Sequence, residues 1–474
     1  MITATQTRSS DLQANYHRGY VWMISLVAAM GGLLFGYDWI VISGTDLLYE
    51  AHFHLTSSLQ VGWAKSCALL GCLIGAMLAG ALSDRLGRKW LLFFAAFLFA
   101  ASSVATGLAG TFAAFISWRI VGGTAIGLAS NLSPLYIAEV APAHARGRLV
   151  SLNQLTIVIG ILLAQFVNWR IAGLHPLPDL PTPEQIAQSW SGQTGWRWMF
   201  GVTAVPSLLF LAGMLLVPES PRWLAKNGKS DRARAVLDKI GGETYARAAM
   251  AEIETTVAPE GRPVKFRDLL EPKLKRILFL GVALAVLQQW CGINVIFYYA
   301  KDIFTEAGFK VADILINIVF IGSVNLLATL VAMRAVDRWG RRPLMLFGYG
   351  GLTVIFVVMG LLFRMESRGP HMLAMVLAAI ACYAMSLAPI TWVLISEIFP
   401  NRIRGAAMSV AVMSLWIACF VLTETFPILH KHVGAAWTFW IYAVLCACGF
   451  FLCNARLPET RGKTLEQIEK ELVG

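Results

Sequence analysis

Residues 83–89 read Ser-Asp-Arg-Leu-Gly-Arg-Lys, and residues 336–342 read Val-Asp-Arg-Trp-Gly-Arg-Arg. The echo is one of three. Glu139, Pro142, Arg146 and Gly147 return, with the same spacing, as Glu397, Pro400, Arg404 and Gly405. Pro218-Glu219-Ser220-Pro221-Arg222 is echoed by Pro458-Glu459-Thr460-Arg461-Gly462. Three echoes in the same order divide the chain into two parallel halves of one design.

Long apolar runs separate these motifs. Of 474 residues, 57% are hydrophobic and only 14% charged, whereas soluble domains carry about 25% charged residues. Bilayer is the natural solvent for such a chain. A spanning helix needs about 20 mainly apolar residues, and twelve such segments can be marked out. Six begin near Gly19, Leu59, Trp90, Phe112, Leu149 and Trp196, and six near Ile277, Ala312, Leu344, His371, Ile403 and Gly434. The echoes follow spans two and eight, four and ten, six and twelve. The expected fold is an all-α membrane protein: twelve transmembrane helices in two six-helix, pseudo-symmetric bundles. Its parts would be an N-terminal tail (1–18), a first bundle (19–217), a polar helical linker (218–275), a second bundle (276–456) and a C-terminal tail (457–474). Ser230 is the expected N-cap of a linker helix reaching Ile240.

The net charge of +11 does not form one basic face, which argues against nucleic acid. Arg85, Arg88 and Lys89, Arg146 and Arg148, Arg338, Arg341 and Arg342, and Arg402 and Arg404 sit in short loops after even-numbered spans. Residues 43–58 after span one contain no Lys or Arg. The positive-inside rule then places the basic loops, both termini and the linker in the cytoplasm. Met1–Arg18 has no cleavable signal pattern, so the first apolar run reads as a retained span. The eight cysteines lie scattered in apolar segments and form no C-x-x-C set, so they read as small buried hydrophobes. No nucleophile–base constellation, phosphate loop, metal motif or cofactor motif is present, and the chain does not read as an enzyme.

The loop motifs resemble those of the sugar porter family of the major facilitator superfamily over nearly the whole chain. The motifs are Asp84-Arg85-x-Gly87-Arg88, Glu139 to Gly147, residues 218–222, Asp337 to Arg341, Glu397 to Gly405, and Pro458-Glu459-Thr460. Within that family the chain is similar to bacterial xylose–proton symporters and, more distantly, to animal glucose facilitators. The resemblance implies a major facilitator fold and secondary transport of a monosaccharide, pentose or hexose, across a bacterial inner membrane. One chain would suffice, because the path lies between its two halves. The acidic and basic loop residues Asp84, Arg85, Arg88, Glu139, Arg146, Glu219, Arg222, Asp337, Arg338, Arg341, Glu397 and Arg404 admit two readings. They set topology, or they form pairs at the cytoplasmic end that part when it opens.

Polar residues inside spans are costly and mark candidate sites. Span seven contains Gln288, Gln289, Gly292 and Asn294. Amides both donate and accept, which suits sugar hydroxyls, but helix–helix hydrogen bonding explains them equally. The resemblance assigns Gln288, Gln289 and Asn294 to the sugar, together with Gln154 in span five, Asn325 in span eight, Trp392 in span ten after Pro389, and Trp416 in span eleven. Phe35, Tyr298 and Tyr299 would form an aromatic wall or outer gate. Ile161 and Leu415 stand where the xylose symporters carry amides, so fewer hydroxyls would be read.

Asp38 in span one and Arg119 in span four are ionisable groups at membrane depth. As a pair they are either a static brace or a site where opening the pair favours protonation. In the resembling symporters an aspartate stands at the first position, and facilitators carry asparagine. A further acid often found in span six is missing from Gly201-Val202-Thr203-Ala204-Val205-Pro206. Proton symport by alternating access is therefore the leading expectation, passive facilitation the second, and a non-transporting sugar receptor a remote third.

Overall fold

The computed structural model describes residues 16–142, 145–178, 181–257, 271–309, 311–367, 369–400 and 403–461, and the side chains of 255–257, 272–273, 311–312, 336–337 and 404–405 lie outside that description. Among the described residues the regular structure is helical. Ten single spans run Arg18–Gly44, Ser58–Leu86, Arg88–Gly107, Phe112–Val140, Arg146–Ala172, Ser191–Leu216, Leu274–Tyr298, Asp313–Ala335, Arg341–Arg364 and Pro370–Glu397. An eleventh stretch covers Ala406–Arg456. At 1.5 Å per residue it would extend more than 70 Å, over twice the hydrocarbon thickness. It is two spans, eleven and twelve, folded back at Gly434, whose φ of 80° breaks the helix. Among the described residues the count is then twelve, with starts within a few residues of those read from the sequence.

The exterior is apolar. Leu208, Leu209, Leu216, Phe279, Leu327 and Phe451 are all exposed, as only a bilayer-facing surface permits. With no hydrophobic gain from leaving lipid, helices associate through close backbone packing. Spans two and four do so reciprocally. A Cβ on Gly71 or Gly75 would strike the carbonyls of Ile120 or Thr124, and one on Gly123 or Gly127 would strike those of Ala68 or Cys72. Gly36 and Gly160 lock spans one and five in the same way, against Ile157 and Leu33.

The repeated loop motifs have one geometry in both halves. Gly87 (φ 90°) and Gly340 (φ 89°) adopt backbone conformations that suit only glycine. Each leaves room for a glutamate, Glu219 or Glu459, against its Cα. Glu219 accepts the backbone N–H of Arg88 (3.0 Å) and Lys89 (3.1 Å). Glu459 accepts those of Arg341 (3.0 Å) and Arg342 (3.1 Å). Both carboxylates thus cap the N-terminus of the following span, where the helix dipole favours an anion. Burial raises the pKa of Glu219, with the N–H groups of Ser220, Lys89 and Arg88 opposing. Burial also works upward on Glu459, but the N–H groups of Arg461, Arg341, Arg342 and Thr460 outweigh it and hold its pKa below the usual value.

Spans seven and ten are broken, and span six is interrupted more gently at Val202–Thr203. Span seven ends its first helix at Trp290 and resumes at Ile293 through left-handed Gly292 (φ 85°), where a Cβ would meet the Tyr442 ring at 2.8 Å. Span ten breaks at Ser386, between Pro389 and the Met385 carbonyl that proline cannot bond. The linker holds two helices that meet at non-helical Gly242 (φ 81°): the first starts at Ser230 and ends close to the expected Ile240, and the second runs on to Val257. Ser230 is the first residue of its helix rather than the cap, since the Lys229 carbonyl already accepts from the Ala233 N–H. Seven cysteines are buried and Cys448 is exposed.

Candidate translocation site

Asp38 and Arg119 are 4% and 2% exposed. Nη1 of Arg119 donates to both Asp38 carboxylate oxygens at 3.1 Å and to the Asp38 carbonyl at 3.3 Å. The guanidinium lies 5.4 Å from the Phe200 ring of span six. Span four comes this close because Gly122 lacks a side chain; a Cβ there would lie 3.4 Å from Asp38 Oδ2 and 3.2 Å from Ser102 Oγ. In this low-dielectric setting, breaking the pair strands both charges, and a proton on the carboxylate removes one of them, leaving the guanidinium beside the Phe200 ring. Thr203 of the acid-free stretch is fully buried, with its hydroxyl beside that of Tyr37.

On the other half, the span-seven amides form a chain. Asn294 Nδ2 donates to Gln289 Oε1 and lies 3.5 Å from the Cys419 sulfur. Gln289 donates to Gln288, which donates to the Tyr383 hydroxyl at 2.6 Å. Asn294 Oδ1 is buried and has no partner among the described residues. Aromatic residues bridge the halves alongside. Phe35 meets Trp416 at 6.0 Å between centroids, and Tyr298 meets Trp39 edge-on at 5.6 Å. The Trp416 indole N–H is also buried and has no acceptor among the described residues. Asn325 is buried, and Gln154 and Trp392 are half-buried, each in its expected span; the described contacts do not join these three to the amide chain. Ile161 and Leu415, the apolar departures, are 3% and 2% exposed.

Among the described residues, Arg88 and Arg341 each pair with a glutamate of their own half. Arg88 Nε meets Glu139 at 3.1 Å and its Nη1 meets Asp84 at 3.2 Å; Arg341 meets Glu397 at 3.2 Å, the counterpart of the first pair. Asp84 also binds Lys226 of the linker at 2.9 Å. Thr460 donates to Glu397 at 2.6 Å. Arg85 and Arg338 are exposed and Arg146 and Arg222 half-buried. The side chains of Asp337 and Arg404, also expected here, lie outside the described residues.

Polar contacts between the halves cluster at the opposite end, on residues that the sequence reading passed over. Lys65, fully buried in span two, contacts Asp46 at 3.1 Å, Glu50 at 3.9 Å and, across the halves, Asp302 at 3.7 Å. It lies 4.0 Å above the Tyr299 ring. Lys301 completes the cluster, 3.2 Å from Glu50 across the interface and 3.6 Å from Asp302 beside it. Burial raises Glu50 against the lowering effect of Lys301 and Lys65. Burial would likewise lower Lys301, but Asp46, Asp302 and Glu50 outweigh it and its pKa rises. Asp302 ends lowered, since Lys301 and Lys65 overcome burial. Deeper in, Ser66 of span two donates to Glu424 of span eleven at 2.6 Å. Lys65 and Glu424 are ionisable groups inside apolar spans, the signal that also marked Asp38 and Arg119.

Two six-helix halves, joined at one end and enclosing polar and aromatic side chains at membrane depth, define a major facilitator transporter. Residues 24–472 match the profile of the family described as "Sugar (and other) transporter", and the chain belongs to that family. It is 38% identical to the D-xylose-proton symporter of Escherichia coli strain K12, over 97% of each chain. It is 41% identical to the glucose transport protein of Synechocystis, over 97% of this chain and 99% of that one. The inward open conformation of the xylose transporter XylE from E. coli superposes with a TM-score of 0.82 at 37% identity, covering 96% of this chain and all of that one.

Proposed function

We propose that the protein imports a monosaccharide together with a proton by alternating access, and that Asp38 and Arg119 couple the two. The observation that carries this is the fully enclosed Asp38–Arg119 pair, one residue from Trp39, which reaches across to the other half. The curated relatives, a xylose–proton symporter and a glucose transport protein, support the same class of solute. Gln288, Gln289, Asn294, Trp392 and Trp416, with Gln154 and Asn325, hold the sugar. Asn294 Oδ1 and Trp416 Nε1, without partners among the described residues, offer it an acceptor and a donor. Phe35 and Tyr298 close over it. With Ile161 and Leu415 in place of hydrogen-bonding groups, fewer hydroxyls are read. Each such hydrogen bond is worth roughly 0.5–1.5 kcal/mol.

The end bearing the basic loops and both termini faces the cytoplasm of an inner membrane, and the Lys65–Lys301 cluster closes the outer end. The structure is then the inward-facing state, in keeping with its likeness to an inward open relative. The Arg88–Glu139 and Arg341–Glu397 pairs brace each half so that it moves as a rigid body. A single chain carries the path.

Uptake of labelled xylose and glucose into proteoliposomes, with and without an inward proton gradient, tests this reading. Wild type accumulates sugar above equilibrium when the gradient is imposed, and Asp38→Asn only equilibrates it. If wild type ignores the gradient, the pair is a brace and the protein a facilitator. The buried Thr203 in the acid-free stretch favours that second reading.

A further inference from the structure

Trp39 follows Asp38 in span one, one helical turn outward from Phe35, and no motif singled it out. Its ring reaches across the halves. It packs on Phe35 at 5.9 Å within its own span, and on Phe297 at 6.1 Å and Tyr298 at 5.6 Å in span seven. Phe35 in turn meets Trp416 at 6.0 Å. Trp39 therefore touches two residues of the sugar site directly and lies on its outer side, between that site and the ion cluster that begins at Asp46. Its indole N–H is shielded from solvent and has no acceptor among the described residues. Buried indole N–H groups are ordinarily paired, so a ligand oxygen is the natural acceptor.

We propose that Trp39 is the roof of the sugar site, donating its N–H to a sugar hydroxyl and limiting the length of the solute by its ring. The proposal rests on the sugar-site reading above and adds a size criterion to it. A roof of one rigid side chain discriminates at the solute end nearest the outer gate, where an added carbon substituent either fits or clashes. A misfit the size of one methylene changes kcat/KM by roughly 10–200-fold. A purely structural aromatic plug would change transport of every sugar alike.

The test is proteoliposome uptake of D-xylose, D-glucose and 6-O-methyl-D-glucose by wild type, Trp39→Phe, Trp39→Leu and Trp39→Ala, with Gln288→Ala as control. Trp39→Ala is expected to raise the 6-O-methylglucose-to-xylose ratio of kcat/KM by about tenfold or more. Trp39→Leu lies between, and serves should the alanine variant fail to fold. Trp39→Phe keeps the wild-type ratio but raises KM for all three sugars severalfold, because the ring stays and the donor goes. A uniform change in all three sugars with Trp39→Ala or Trp39→Leu overturns the size criterion, and an unchanged KM in Trp39→Phe overturns the hydrogen bond. Failure of the underlying sugar-site reading looks different: Gln288→Ala would then transport as wild type does.

Discussion

Lys301→Met removes the cross-half pair with Glu50 at 3.2 Å, whose side chains are 12% and 18% exposed. At an effective dielectric constant of 20 the bare attraction is roughly 5 kcal/mol. Much of that is offset by desolvation. Glu50 also keeps Lys65 at 3.9 Å, and Asp302 keeps Lys65 at 3.7 Å. A net contribution of about 2 kcal/mol to closure of this end remains, inside the range found for charge pairs across interfaces. That corresponds to a shift of about 30-fold toward the open arrangement. Spin labels at exposed Leu59 and Val433 would report it by the distance between the ends of spans two and eleven, after replacement of exposed Cys448. Glu50→Gln should give a shift of similar size. The double variant should fall well short of the sum, because each substitution breaks the same pair. Strict additivity, or an unchanged distance distribution in Lys301→Met, would refute the assignment of this pair as a lock.

Other outcomes follow from neighbouring geometry. Glu424→Leu leaves Ser66 without its cross-half acceptor; a contribution of about 1 kcal/mol should shift the same label distance about fivefold, with Ser66→Ala matching and the pair not adding. Gly87→Ala forces a residue with a side chain to φ 90° and against Glu219, costing about 1–3 kcal/mol, read as a lower melting temperature in detergent. Glu459, whose pKa is lowered in the fold, contributes stability above the usual glutamate pKa and loses it as pH falls through the lowered value. Glu459→Gln should therefore lower the melting temperature at pH 7 and make little difference in strong acid. Glu219, raised by burial, has the opposite sign: its contribution is present below the usual glutamate pKa and is lost as pH rises through the raised value.

Much of the architecture was legible because it is written in long-range repetition and in local hydropathy. A span of some twenty apolar residues has few alternatives in water or lipid, so starts near Arg18, Ser58 and Phe112 followed from composition alone. The Gly87 and Gly340 motifs announced a repeat, but their purpose did not show in the string. Glu219 is 131 residues from the Arg88 N–H it caps, and only folding brings the two together. Asp38 and Arg119 stood out as charges in apolar runs. Lys65 and Glu424 gave the same signal and were passed over, because no motif drew attention to them.

Hydrophobicity, charge and repetition act locally or by copy, so the string alone marks out twelve spans, two halves and polar and ionisable groups at membrane depth. Tertiary structure alone decided which charges meet. It set the loop pairs within each half and the Lys65–Lys301 cluster between the halves, and it carried Trp39 across the interface onto Tyr298. Such meetings depend on how helices pack where glycines let backbones touch, over separations that no local pattern encodes.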